Sequence, residues 1–222
     1  VLRGPATRPL PVHPVAIASE PLLITRDMPP RVEARALEFY DARLNREDEI
    51  HDADSLIAAA EGADGLLICG TEPMTPEVLA RLPSSVKIIA CFTAGYDHVD
   101  LAAAEARGIV VTHAPDALTD AVADLTLLLL LGAARRAGEG EAMMRSGGWD
   151  DIHLLFMTGC EIKGKRLGIL GMGRIGRAVA KRARAFGLQI HYHNRNRLDE
   201  ALEDGAAWHE DAASLLPCSD FL

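Results

Sequence analysis

The sequence predicts an α/β protein made of two successive domains, and three observations carry that class. Short apolar runs recur at intervals of just over twenty residues through the first half of the chain, residues with helix-start and helix-stop chemistry fall between them, and a glycine triplet at 171–176 separates a further apolar run from a helical stretch. The chain has 222 residues, 49% apolar and 25% charged, which is enough to bury a core and lies between one and two ordinary domains.

Taken in order, the apolar runs at 22–25, 42–44, 66–69, 88–92 and 110–112 read as buried strands. Pro29 and Pro30 open a helix over 32–40. Asp54 stands before one over 55–61, Thr75 and Pro76 before one over 77–82, and Asp97 or Asp100 before a helix that Gly108 stops. Strands and helices alternating at so short a period imply parallel pairing through crossover helices, giving a flavodoxin-like five-stranded sheet over 15–117. Thr119 then caps a helix running to Arg136, whose 125–131 segment is apolar on every side and is expected to be buried between domains or subunits. The stretch 138–151 reads as polar and Gly-rich. The strand at 166–170, glycine turn, helix to Phe186, Gly187 stop and strand at 188–193 make one βαβ unit, the start of a second domain over 118–222. A short helix over 210–216 and the beginning of another strand at 219–222 complete the reading.

Composition removes several function classes. No apolar stretch reaches the roughly 18 to 20 residues that a bilayer crossing needs, so no integral membrane protein is expected. Cys69, Cys91, Cys160 and Cys218 are far apart with no CxxC spacing, which argues against zinc or a disulfide framework and for reduced thiols in the cytoplasm. The net charge of −9 disfavours nucleic acid, although all the positive balance sits in one place, since residues 163–197 carry Lys and Arg but no acid. Residues 1–14 are proline-rich, lack an apolar signal core and read as a disordered tail.

The glycine turn carries the first chemistry. Gly171 permits a tight turn, Gly173 lets backbone N–H groups approach a pyrophosphate, and Gly176 lets the helix pack closely on the strand, with Met172, Arg174 and Ile175 supplying the intervening backbone at the positive helix end. NAD-specific sites commonly carry a carboxylate at the end of the next strand to hold the ribose hydroxyls. Here that place reads Asn194, Arg195, Asn196, Arg197. A guanidinium binds a 2′-phosphate that a carboxylate would repel, so NADP(H) is favoured over NAD(H). Arg174, Arg177, Lys181 and Arg184 fall at helical spacing opposite Ile175, Val179 and Phe186 and read as a solvated face, whereas Arg195 and Arg197 lie beyond the strand and escape that explanation.

Four stretches together resemble the D-isomer-specific 2-hydroxyacid dehydrogenases, and look closest to the glyoxylate/hydroxypyruvate reductases among them: Thr93-Ala-Gly-Tyr-Asp-His-Val-Asp100, Ala106-Arg-Gly-Ile-Val-Val-Thr112, Leu118-Thr-Asp-Ala-Val-Ala-Asp-Leu125 and Gly164-Lys-Arg-Leu-Gly-Ile-Leu-Gly-Met-Gly-Arg-Ile-Gly176. The resemblance implies a substrate domain joined to a partial Rossmann domain across a cleft, a small 2-oxo or 2-hydroxy acid as partner, and a homodimer whose contacts include the helix after Thr119. It also implies that backbone around Ala94 and Gly95 binds the substrate carboxylate, that Thr119 lies near the nicotinamide, and that Asn194, Arg195 and Asn196 form the phosphate-binding turn of NADP-preferring members.

The family's oxo-polarising Arg and its His–carboxylate proton donor fall later than Leu222 in the matching pattern. No catalytic residue is therefore assigned, and the 222 residues read as an incomplete, inactive fragment. Single histidines near strand ends, such as His98 and His113, are more often structural, and His191 and His193 alternate on one strand. The leading reading is NADPH-dependent reduction of glyoxylate, hydroxypyruvate or a similar acid to the D-2-hydroxy acid. The alternatives are a noncatalytic NADP(H)-responsive binding protein and an NAD-linked enzyme such as a phosphoglycerate dehydrogenase.

Overall fold

The computed structural model describes residues 20–149 and 153–222, so the tail expected at 1–14 lies outside the described residues. The chain divides into two compact units, with the division between Pro115 and Asp116.

The first unit contains a five-stranded sheet of β1 (Pro21–Ile24), β2 (Asp41–Arg43), β3 (Gly65–Ile68), β4 (Ile88–Cys91) and β5 (Val110–Thr112). All neighbours pair in parallel in the order β2-β1-β3-β4-β5, so the direction of strand addition reverses beside β1 and β3, as in flavodoxin-like sheets. One face is covered by α2 (Ala53–Ala59), α3 (Pro76–Arg81) and α4 (Leu101–Ala106), with Leu23, Leu66, Ile68 and Ile89 packed against Leu56, Val78, Leu79 and Ala104. On the opposite face α1 (Pro30–Phe39) closes a smaller core of Ile24, Met28 and Ala36. Beyond α1 that face stays open as a groove of about 940 Å³ between Val32, Phe39 and the strand residues Leu67, Ile88 and Ala90.

Local chemistry explains the helix starts. Pro30 begins α1, Thr75 caps α3 ahead of Pro76, and the Asp100 carboxylate accepts the Ala103 N–H at 2.8 Å to cap α4. The sequence pointed to Asp54 as the start of α2; Asp52 does the capping instead, accepting the Ser55 N–H at 2.8 Å, while Asp54 pairs with Arg81. Gly108 stops α4 with φ of +68°, a conformation that a Cβ would strain.

The second unit begins with α5 (Thr119–Ala134) and α6 (Ala137–Ser146). Its sheet contains β6 (Arg166–Leu170), β7 (Gln189–His193) and β8 (Ala207–His209), parallel in that order, with α7 (Arg174–Ala185) crossing from β6 to β7. Phe221 makes a parallel bridge to Leu167 on the free side of β6, so the strand expected at 219–222 begins where a Rossmann sheet would place it. Buried Ala123 and Leu127 of α5 pack with Val179, Ala180 and Ala183 of α7 against Leu167, Ile169, Ile190 and Tyr192. Among the described residues no helix is long and apolar enough to cross a membrane.

Three expectations are corrected here, at 138–151, at Thr119 and on α7. The stretch 138–151, read as polar and Gly-rich, contains helix α6, which buries no residue and is held by Arg136–Glu139 and Arg145–Glu141 pairs and by Gly147 in the left-handed conformation at its end. Thr119 is not the cap of α5: it lies inside the first turn, Leu118 occupies the capping position, and no side chain caps the helix. Within this single chain Leu127 is buried, while Leu125, Leu128 and Leu129 are 53%, 65% and 65% exposed, which leaves the expected burial against a second subunit uncontradicted. On α7 the buried side is Gly176, Val179, Ala180 and Ala183, whereas Ile175 and Phe186 are exposed.

Candidate functional site

In the second unit, β6 delivers the chain directly into the glycine turn. Gly171 has φ of +96°, which only glycine adopts freely, and a Cβ at Gly176 would overlap the Gly171 carbonyl oxygen, so the third glycine is demanded by the helix-to-turn contact. Gly173 has nothing within 4 Å of where its Cβ would be, and it occupies the N-cap position of α7 with no side chain capping the helix. Free space beside an uncapped helix N-terminus fits a diphosphate. The residues present therefore suit a dinucleotide. Met172 is 1% exposed, its side chain lies in the core, and its N–H donates to Asn194 Oδ1 at 2.7 Å, so this donor is committed within the chain. Arg174 pairs with Asp116 at 2.8 Å, and Ile175 stands half-exposed at the start of α7.

The turn after β7 is held at both ends. The Gly171 N–H donates to the His193 carbonyl, and Asn194 is fixed by Met172. Arg197, counted above among cations free for a phosphate, instead gives a two-pronged ion pair to Glu203, with Nε–Oε1 at 2.8 Å and Nη2–Oε2 at 3.0 Å, and its guanidinium lies over the Trp208 ring. Arg195 and Asn196 are exposed and bond to nothing among the described residues.

In the first unit, Ala94 and Gly95 follow β4 at the carboxyl end of the sheet. The His113 ring bonds to the Ala94 carbonyl at 2.9 Å and the Thr93 hydroxyl donates to the Gly95 carbonyl at 2.6 Å, while the N–H groups of Ala94, Gly95 and Tyr96 find no acceptor among the described residues. Carbonyls tied back and amides left open suit an anion. A Cβ at Gly95 would lie 3.0 Å from Oδ1 of the exposed Asp97, a contact that a small turn of that side chain relieves. Thr119 presents a buried hydroxyl with no partner at the first turn of α5, and His98 buries an unpartnered Nε2. His191 and His209 are joined ring to ring at 2.9 Å, and burial, with the neighbouring His209 and Arg166, pushes the His191 ring to lower pKa. Among the described residues no cluster could hold a metal ion.

The family model described as D-isomer specific 2-hydroxyacid dehydrogenase, catalytic domain, matches residues 22–213. The chain belongs to this family. Similar 2-hydroxyacid dehydrogenases include the glycerate dehydrogenase of Hyphomicrobium methylovorum, 41% identical over 92% of this chain and 64% of the relative. A Polaromonas sp. JS6 66 structure described as a D-isomer specific 2-hydroxyacid dehydrogenase, NAD-binding, superimposes with a TM-score of 0.83 at 45% identity over 91% of this chain and 63% of that one. An NADPH-dependent glyoxylate/hydroxypyruvate reductase from Sinorhizobium meliloti, in complex with NADP and malonate, gives 0.76 at 30% identity over 91% and 61%. The chain thus spans just under two thirds of the length of the relatives it matches.

Sequence reasoning missed Tyr192 and Glu203 in this chain. Tyr192 is fully buried; its hydroxyl donates to Glu203 Oε1 at 2.6 Å and accepts the Leu198 N–H at 3.1 Å. Arg197 foremost and Tyr192 next hold the Glu203 carboxyl down at about 2. A tyrosine at the inward-facing position of a core strand was the available signal, since a buried phenol needs a partner.

Proposed function

We propose that the protein of which this chain is part uses NADPH to reduce a small 2-oxo acid of the glyoxylate or hydroxypyruvate type to the D-2-hydroxy acid. The observation that carries this reading is Arg195, an exposed and unpaired guanidinium on the turn after β7, where the chain has no carboxylate. Names of similar proteins support the substrate class, and one of them is NADPH-dependent.

A bound nicotinamide dinucleotide supplies the hydride. In this reading the backbone of Gly173, Arg174, Ile175 and Gly176 at the start of α7 receives the diphosphate and Gly171 shapes the turn beneath it. Arg195, with Asn194 and Asn196, clamps the 2′-phosphate. The open amides at Ala94 and Gly95 orient the carboxylate of the oxo acid, and Thr119 lies beside the nicotinamide. The proton donor and the oxo-polarising Arg have no counterpart among these residues in the family pattern, so a polypeptide of these 222 residues alone binds dinucleotide but turns over no substrate. Two copies associate through α5.

Fluorescence titration of an Arg195→Ala variant tests the cofactor assignment. NADPH weakens by roughly 10- to 150-fold and NADH by far less, because charge-assisted contacts of this kind are worth about 1.5 to 3 kcal/mol. Equal losses for both cofactors refute it. For the activity, absorbance of the reduced nicotinamide is followed with glyoxylate and hydroxypyruvate, comparing the 222 residues with the same chain extended along its reading frame past Leu222. Turnover by the short chain, or failure of the longer one with every 2-oxo acid, overturns the reading.

A further inference from the structure

We infer that Glu203 and Tyr192, which lie in the core rather than on the ligand face, are the positioning residues that set the preference between the two nicotinamide cofactors. The inference rests on the cofactor reading above and extends it to residues behind the turn.

The turn from Asn194 to Leu198 has two fixed ends and a free middle. At the near end Asn194 is tied to Met172 at 2.7 Å. At the far end three bonds from two side chains converge on one carboxylate: Arg197 gives both prongs of its guanidinium to Glu203, and Tyr192 links Glu203 to the Leu198 N–H. Glu203 is 4% exposed and Tyr192 fully buried, so both anchors belong to the packed interior and cannot drift with solvent. Arg184 adds a bond from Nη2 to the Glu203 carbonyl at 3.0 Å, tying α7 to the same point. Only Arg195 and Asn196 project without partners. A guanidinium on a flexible stem loses side-chain freedom whenever it grips a phosphate, and a turn held at both ends removes the backbone part of that loss beforehand.

Glu203 also determines how many cations face the ligand. With Arg197 held by Glu203, the turn presents one free guanidinium rather than two. The two possible roles of the pair then predict opposite signs. If Arg197 were a phosphate ligand held in reserve, releasing it would tighten NADPH. If the pair positions the turn, releasing it weakens NADPH.

Glu203→Gln, made in the whole protein, distinguishes these outcomes because it keeps shape and one acceptor oxygen for Tyr192 while removing both the charge and the second acceptor that fix Arg197. The dissociation constants of NADPH and NADH are measured by fluorescence titration for wild type, Glu203→Gln and Tyr192→Phe. The expected result is an NADPH constant raised about five- to tenfold in both variants, with NADH changed less than twofold. NADH binding serves as the measure of an intact fold. If Glu203→Gln has lost NADH binding as well, Tyr192→Phe, which keeps the buried ring, decides alone. Unchanged or tighter NADPH binding in a variant that still binds NADH overturns the inference while leaving Arg195 as the clamp. A wild type that binds both cofactors equally overturns the cofactor reading instead, and the positioning role with it.

Discussion

Asn194 and Met172 are joined side chain to backbone, Oδ1 accepting the N–H at 2.7 Å, so the first residue of the turn after β7 also fastens the glycine turn. Asn194→Asp keeps that acceptor and adds the charge that NAD-specific sites use. NADPH should weaken by about tenfold or more through repulsion of its 2′-phosphate, while NADH binding holds or improves. Parallel titrations with the two cofactors check this. Loss of both would mean that Asn194 acts only through the glycine turn.

Gly176 and Gly138 give contrasting results for the same substitution. Both lie in helices, where Ala gains up to about 1 kcal/mol over Gly. At Gly138 nothing lies within 4 Å of the added Cβ, so Gly138→Ala should raise the melting temperature. At Gly176 the Cβ meets the Gly171 carbonyl oxygen, and overpacking against backbone costs about 1 to 3 kcal/mol, which wins. Gly176→Ala should lower the melting temperature and abolish dinucleotide binding. Thermal unfolding followed by circular dichroism, with cofactor titration, measures both.

Acid pH should expose the Glu203 pair. Its folded carboxyl is held at about 2, below the ordinary value of about 4.3, so its contribution is fully present above pH 5 and disappears as pH falls toward 2. The stability gap between wild type and Glu203→Gln should be constant from pH 5 to 7 and shrink below about pH 4. Urea unfolding at a series of pH values measures it. A gap that persists undiminished to pH 2.5 contradicts the assignment.

Leu125, Leu128 and Leu129 place an apolar face of α5 in solvent within this chain. Exposed apolar patches of this kind mark association surfaces. Leu128→Lys should convert a dimer to a monomer, read as a halved mass by light scattering, with little change in cofactor affinity. A wild type that is already monomeric removes the homodimer reading.

The sequence made most of the first unit legible because β1, β3, β4 and β5 are compact apolar runs and the starts of α1, α3 and α4 carry their own chemistry at Pro30, Thr75 and Asp100, whereas β2 is only Asp41, Ala42 and Arg43. The glycine turn was equally legible, since three glycines fixed by φ or by close contact leave a visible spacing. What escaped was structure with no local signal. Strand β8 is only Ala207, Trp208 and His209, too short for a period, and exists because β7 offers it a ladder. Helix α6 carries Gly138 and Gly140 and buries nothing, so neither propensity nor an apolar stripe announced it. The Glu203 pair was hidden for a different reason. Arg197 read as a free cation because its partner sits six positions away on a four-residue helix, α8 (Glu200–Glu203), that the sequence does not mark.

The strand order of the first unit has a kinetic side. Neighbours β1 and β2, β3 and β4, and β4 and β5 are each joined by one crossover of about twenty residues, whereas β1 meets β3 across two, so that Thr25 and Leu67 bond over 42 positions. Doubling the length of a closing loop adds only about 0.6 kcal/mol of entropy, but that amount falls on the seam at which the growing sheet changes direction. The β1–β3 seam is thus the slow closure. Two half-sheets, one from β1 and β2 and one from β3 to β5, can form early on their own loops, and a weakened Leu22–Gly65 register should retard folding more than it hastens unfolding.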